Sequence, residues 1–360
     1  MSRLSALVAA SLLLCGCSVG YVARQSVAHV HVLAARQPVD KAIARGRVPE
    51  EWIEPIRVIE EAREFGVRRL GLPAENLYRS ISLVRPGPTW VVSASAKDAL
   101  RPVSWWFPVT GRVDYRGYYN RGGAEKLARR LGAKELDVLV RPAGAFSTLG
   151  WFADPIRPSM LDRSESELVN LVLHEAAHRV LYLSGQTDFN ESFASFVGDA
   201  GALLYLRERY GAGCDLCRET EAGFADELTF RHFLDGFVEE LHAYYARSVD
   251  REQKIRGRDE IFRGAQERFA RLDWNSSGYE WFEKLELDNA RILSFQRYAG
   301  DRSVFERVLD ACDGDLGAAI RFVETLGWKK VPKREREQID PFRLLQRRLD
   351  EGATCPAAPG

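Results

Sequence analysis

Excess charge of either sign is missing from this sequence. Its 51 basic residues are matched by 51 acidic ones. With no polybasic field to seek phosphate backbones, no nucleic-acid partner is expected. No internal repeat is found. Long hydrophobic runs are nearly absent too. The one near the start, Leu4 to Leu14, is too short to span a bilayer as a mature helix. Histidine is scarce, six residues in 360, so two of them at a functional spacing stand out. What is present is 46% apolar residues, enough to bury a sizeable core in one large domain or two smaller ones.

The opening "MSRLSALVAASLLLCGCSVG" reads as an export signal, with Arg3 before the apolar run. Its end, "LCGC", resembles the bacterial lipobox. On that resemblance cleavage falls between Gly16 and Cys17, and a lipid is attached to the Cys17 sulfur. Ser18, rather than Asp, resembles the outer-membrane default of Gram-negative lipoproteins. The expectation is a chain anchored to the outer membrane by its lipid and facing the periplasm; an ordinary cleaved signal is the alternative. Exported proteins live where disulfides persist. Cys214 and Cys217, in "GAGCDLCRE", are close enough to pair across a tight turn. A redox or metal role, or free thiols, are the other readings of this C-x-x-C, and sequence does not choose a pairing among Cys214, Cys217, Cys312 and Cys355.

Periodicity divides the rest. Residues 17–76 read as an N-terminal helical segment ending at Gly71. Residues 77–160 are rich in β-branched and aromatic residues with Pro and Gly punctuation, and read as a small β-rich subdomain around one short helix, "GGAEKLARRLGAKE". From 161 to 327 the pattern is almost wholly helical, including a charged hairpin over Glu219–Phe269 that carries His232 and His242 as packing or surface residues. Residues 328–360 read as a charged linker, one short helix and a flexible end. The class is α+β, predominantly helical, with a small antiparallel or mixed sheet followed by a helical bundle.

"DRSESELVNLVLHEAAHRVLYLSG" carries the chemistry. Ser164 and Glu167 have capping-box spacing before an apolar run, and Gly185 suits a C-terminal stop. His174 and His178, four apart, share a helix face and can reach one ion. Zinc takes neutral imidazole nitrogens and needs a third protein ligand with one position left open. Glu191, in "TDFNESFASFVG", opens the next helix and can fold back onto the pair; Asp188 is expected to begin that helix as its cap. Glu175 stands beside the histidines, placed to move a proton without being a ligand.

H-E-x-x-H followed by N-E on the next helix resembles the gluzincin metallopeptidases. The fuller string, with "FPVTGRVDYRGYY", "AFSTLGWFADPI" and "LDNARILSFQRYAGDRSVFERVL", more narrowly resembles a bacterial family of predicted aminopeptidases, over roughly residues 17–327. The family usually shows two asparagines where this chain has Asp288 and Asn289. The resemblance implies a zincin-like fold, one Zn²⁺ per chain on His174, His178 and Glu191, and Glu175 as general base and acid. In zincins an edge strand before the metal helix pairs with the substrate, and "AFSTLGWF" has a strand's composition. Gluzincins often stabilise the oxyanion with Tyr or His. Tyr298 is the first candidate here; Tyr115, Tyr118 and Tyr119 are others.

The expectation is therefore a zinc-dependent peptidase, a hydrolase acting on a peptide or protein substrate. The label aminopeptidase rests on the family resemblance alone, since no G-x-M-E-N strand is present to hold a free amine. An endopeptidase of the cell envelope and an inactive metal-binding lipoprotein scaffold are the alternatives.

Overall fold

The computed structural model describes residues 34–356, apart from 84–88, 108–110, 144–154, 277–278, 280, 299–301, 329–335 and 337–338. The export signal, Cys17 and the strand expected at 145–152 lie outside the described residues. Eleven α-helices and seven short strands occur among those described, giving a predominantly helical α+β fold.

Near the N-terminus the expectation of helix throughout is corrected. Arg36–Pro38 forms strand β1, paired antiparallel with β2 (Ser80–Ser82). Pro38 cannot donate to a helix and biases the residue before it towards extended backbone. Helices α1 (Val39–Ala44) and α2 (Ile53–Leu70) follow. Gly71 closes α2 in the left-handed region, φ 67°.

The sheet is small and antiparallel, in the order β6-β3-β7: β3 is Thr89–Ala96, β6 Arg116–Tyr118 and β7 Leu136–Ala143. A hairpin of β4 (Trp105–Phe107) and β5 (Gly111–Val113) stands beside it. Helix α3 (Arg121–Gly132) packs on the sheet around Val92, Ala94, Ala124 and Leu131.

The remaining helices are α4 (Glu165–Val180), α5 (Thr187–Tyr210), α6 (Asp215–Tyr245), α7 (Arg251–Phe269), α8 (Asn289–Tyr298), α9 (Ser303–Ala311), α10 (Leu316–Glu324) and α11 (Pro341–Asp350). The largest core joins α2, α4, α5, α9 and α10. One side of α4 forms its centre, where Leu168, Val169, Val172, Leu173, Ala176 and Ala177 are all buried. A second core lies between α6 and α7, built on Phe230, Phe237, Phe262, Phe269 and Phe282. His232 and His242 are exposed on α6.

Polar locks tie these parts together. Arg258 on α7 meets Asp137 on β7 with two hydrogen bonds, at 2.6 and 3.0 Å, both groups buried. Asn289 donates its backbone N–H to the same carboxylate at 3.1 Å and its side-chain amide to Ala96 O at 2.9 Å. Asp288 caps α8 by accepting from Arg291 N at 2.7 Å, a task asparagine performs equally well. The departure at this position therefore leaves the cap intact.

Disulfides join Cys214 to Cys217 and Cys312 to Cys355. The second corrects the expectation of a flexible end: residues up to Cys355 are held to the end of α9. Leu345 of α11 is fully buried, and the Phe342 ring lies 5.0 Å from that of Phe189.

Candidate metal centre

Helices α4 and α5 form the hairpin that builds the site. At the start of α4, Ser164 donates its backbone N–H to Glu167 Oε2 at 2.9 Å, and its hydroxyl accepts from Glu167 N at 3.4 Å. Each partner satisfies a helix-end group that would otherwise lack one. The other end differs from the sequence expectation. The helix stops at Val180, with Leu181 already extended, and Gly185 (φ 80°) turns the chain five residues later.

Asn190 explains the early stop. Its side chain accepts from Leu183 N and donates to Leu183 O, both at 2.8 Å, and is 2% exposed. The loop's backbone groups are met by this side chain instead of by another helical turn. Helix α5 also begins slightly earlier than expected. It runs from Thr187, with Asp188 inside the first turn, and the residue before it, Gln186, makes no side-chain capping bond.

Locked in this way, the hairpin brings His174, His178 and Glu191 together. Their ligand atoms all lie within 4.8 Å of one another. Glu191 Oε2 is 3.6 Å from His174 Nε2, and Oε1 is 3.8 Å from His178 Nε2. These separations are too long for hydrogen bonds. They approach the roughly 3.3 Å between ligand atoms on a tetrahedral ion bound at about 2.0–2.1 Å. The two imidazole planes are nearly perpendicular, at 86°.

The electrostatics also suit a cation. Burial and the neighbouring His174 push His178 below the ordinary imidazole value, which keeps it neutral and able to ligate. Its Nδ1 is buried with no hydrogen-bond partner. Burial works against charge on His174 as well, but the carboxylates of Glu191 and Glu175 outweigh it and hold its pKa up. Burial alone would raise Glu191; His174 and His178 draw it down. Glu175 is 8% exposed, on the same helix immediately after His174.

Behind the centre, buried Arg302 pairs with Asp199 of α5 and Glu227 of α6, and Asn170 of α4 donates to Asp199. Desolvation lowers the Arg302 pKa to about 10.

Of the tyrosines named from sequence, Tyr298 ends α8, and its side chain lies outside the described residues. Tyr115 lies under the Arg297 guanidinium, 5.1 Å from ring centroid to Cζ. Tyr118 is in β6, its pKa raised by burial. Three residues carried no signal of their own in the sequence: Arg297, Arg302 and Tyr182. Tyr182 feels the charge of Glu191, which adds to the upward effect of burial on its pKa. Asn190 is the asparagine of the N-E pair, but nothing local to it shows that it reaches back to Leu183.

A family model described as "Putative aminopeptidase" matches residues 20–339. The chain belongs to that family. Membership supports a peptidase role, and the match takes in both helices of the candidate centre, the sheet and the α6–α7 hairpin. No curated protein and no solved structure matches the chain.

Proposed function

We propose that this chain is a zinc-dependent peptidase of the cell envelope, and that it trims peptides from a free N-terminus. The observation that carries the reading is the convergence of His174, His178 and Glu191 within 4.8 Å, with buried Glu175 beside them. Two imidazoles and one carboxylate form a donor set suited to zinc, and three protein ligands leave one position open, as catalytic sites require.

Zinc bound there would polarise the scissile carbonyl and acidify a water molecule. The chain's own groups supply the rest. Glu175 takes a proton from the attacking water and returns it to the leaving amine. His178, held neutral by burial, and His174 keep the ligand face aligned along α4. Asn190 fixes the loop so that Glu191 meets that face. Tyr298 is the proposed oxyanion donor. The lipobox-like "LCGC" supports anchoring through a lipid on Cys17, with the enzyme facing the periplasm.

The test is zinc content and turnover of the soluble form, residues 18–360. About one zinc per chain is expected in the parent and far less in Glu191→Ala, because a third of the ligand set is lost. Glu175→Gln should keep the metal and lose peptide hydrolysis. If the parent takes up no zinc after reconstitution, the reading fails. If peptides with blocked N-termini are cut as fast as free ones, the enzyme is an endopeptidase.

A further inference from the structure

A cleft of about 440 Å³ opens beside the metal centre, lined by Arg112, Asp114, Gln186, Asp188, Arg297 and Phe342 among others. Asp188 stands one helical turn before Glu191 on α5, so the cleft begins next to the third ligand. Two helix N-termini meet there. One is the start of α5, whose Gln186 makes no capping bond; the other is the start of α11 at Pro341, already capped by the Asp340 carboxylate, which accepts from Phe342 N at 2.9 Å. Gln186 Nε2 instead donates to Arg336 O at 3.0 Å, which joins the two helix starts.

Arg297 supplies the decisive observation. Its residue is 7% exposed. One terminal nitrogen donates to Asp114 O at 3.3 Å, and the guanidinium stacks on Tyr115. The other, Nη1, is buried with no hydrogen-bond partner. No carboxylate among the described residues comes within ion-pairing distance of it. A buried, unpaired guanidinium is costly unless an anion completes it. Burial raises the Asp188 carboxyl above its ordinary value, and the Arg297 charge works against that rise.

We propose that this cleft holds a carboxylate of the peptide substrate on Arg297, aided by Arg112 and the uncapped N-terminus of α5. The proposal deepens the peptidase reading and rests on it for the identity of the ligand. A planar guanidinium fork matches a carboxylate, and helix starts favour a negative group. Asp114, Asp188 and Asp340 in the same lining favour a singly charged anion over a phosphate dianion. The carboxylate is either the peptide's C-terminus or an acidic side chain. In both cases it lies close to the bond being cut, because the cleft starts one turn from Glu191.

Binding rather than turnover tests this. Zinc-loaded protein carrying Glu175→Gln would be titrated calorimetrically with three tetrapeptides of neutral sequence. One ends in a free carboxylate, one in an amide, and one is an amide with a single glutamate side chain. At least one carboxylate peptide should bind about tenfold or more tightly than the neutral amide, as expected for a hydrogen bond to a charged group. Whichever peptide gains shows the source of the carboxylate. Adding Arg297→Gln should remove that gain and leave the neutral amide unchanged. Equal binding of all three peptides overturns the proposal. So does an equal loss for all three in Arg297→Gln, which would mark a purely structural arginine. If Arg297→Gln does not fold, Arg297→Lys keeps the charge without the fork and must shrink the gain; an undiminished gain overturns the proposal. An Arg297-dependent preference in a protein whose parent cuts no peptide would sink the peptidase reading and leave the carboxylate site standing.

Discussion

Gly198 of α5 lies so close to Asn170 of α4 that a Cβ there would sit 3.1 Å from the Asn170 carbonyl oxygen and 3.1 Å from its side-chain oxygen. Asn170 is one turn before His174, and Gly198 two turns after Glu191, so this contact sets the spacing of the ligand face. Filling the gap must push the helices apart. Gly198→Val is expected to cost about 1–3 kcal/mol in urea unfolding and to lower zinc retention in a chelator titration, because overpacking moves backbone. A folded Gly198→Val variant with unchanged zinc affinity would show that the hairpin spacing is not set here.

The titration of the metal-free protein carries its own signature. The His174 pKa is raised, so its share of stability is full below the ordinary value of about 6.5 and is lost as pH rises through the raised value. The Glu191 pKa is lowered, so its share is present above about 4.3 and is lost as pH falls through the lowered value. Both contributions coexist only between those limits. Glu191→Gln should therefore cost the metal-free protein most near pH 5.5, on the order of 1 kcal/mol, and less at pH 8.5. Urea unfolding in chelator at the two pH values checks this; an equal cost at both refutes the pairing. With zinc loaded the dependence reverses, and metal is retained better as pH rises, because protons compete for the histidines.

How much of this could be read in advance differed by residue. The His174–His178 spacing and the Ser164–Glu167 box are local, so helical periodicity alone exposed α4 and its start. The charged hairpin over Glu219–Phe269 was legible for the same reason and appears as α6 and α7. The end of α4 was not legible, because Asn190, a residue of the following helix, ends it through the loop. β1 was missed because three residues carry too little pattern and take their conformation from pairing with Ser80–Ser82. Arg297 had no local signal at all. Its meaning lies in a cleft assembled from β5, α5, α8 and α11, segments far apart in the chain. The string "LDNARILSFQRYAG" stood out by resemblance, but the jobs of Asp288 and Asn289, a helix cap and a strap onto β3, need the fold to be seen.

The Asp137–Arg258 pair gives a stability prediction. Arg258→Met would leave the Asp137 carboxylate buried and short of a partner, since Asn289 N supplies only one hydrogen bond to it. The expected loss is about 3–5 kcal/mol. Changing both members, Asp137→Leu with Arg258→Met, should recover much of it, because an apolar pair leaves no buried charge. Urea denaturation of the two singles and the double closes the cycle. A double no more stable than Arg258→Met would mean that α7 and the sheet are joined through contacts other than this pair.

Asp226 makes the last prediction. It is fully buried on α6 and accepts four hydrogen bonds from the loop after α7: Asn275 N at 2.7 Å, Asn275 Nδ2 at 2.9 Å, Ser276 N at 2.8 Å and Ser276 Oγ at 2.5 Å. Burial would raise its pKa, but the Ser276 hydroxyl and the other donors outweigh that and lower it. A depressed carboxyl stabilises the fold above its unfolded value of about 3.9, and that contribution fades as pH falls through the folded value. Asp226→Asn turns one acceptor into a donor that faces other donors. It should cost about 1.5–3 kcal/mol at pH 7. The difference from the parent should narrow below about pH 4, where the unfolded chain's carboxyl begins to protonate while the folded one stays ionised. Urea unfolding across that range measures both effects. A difference that stays constant down to pH 3 would show that the loop is held by shape rather than by the carboxylate.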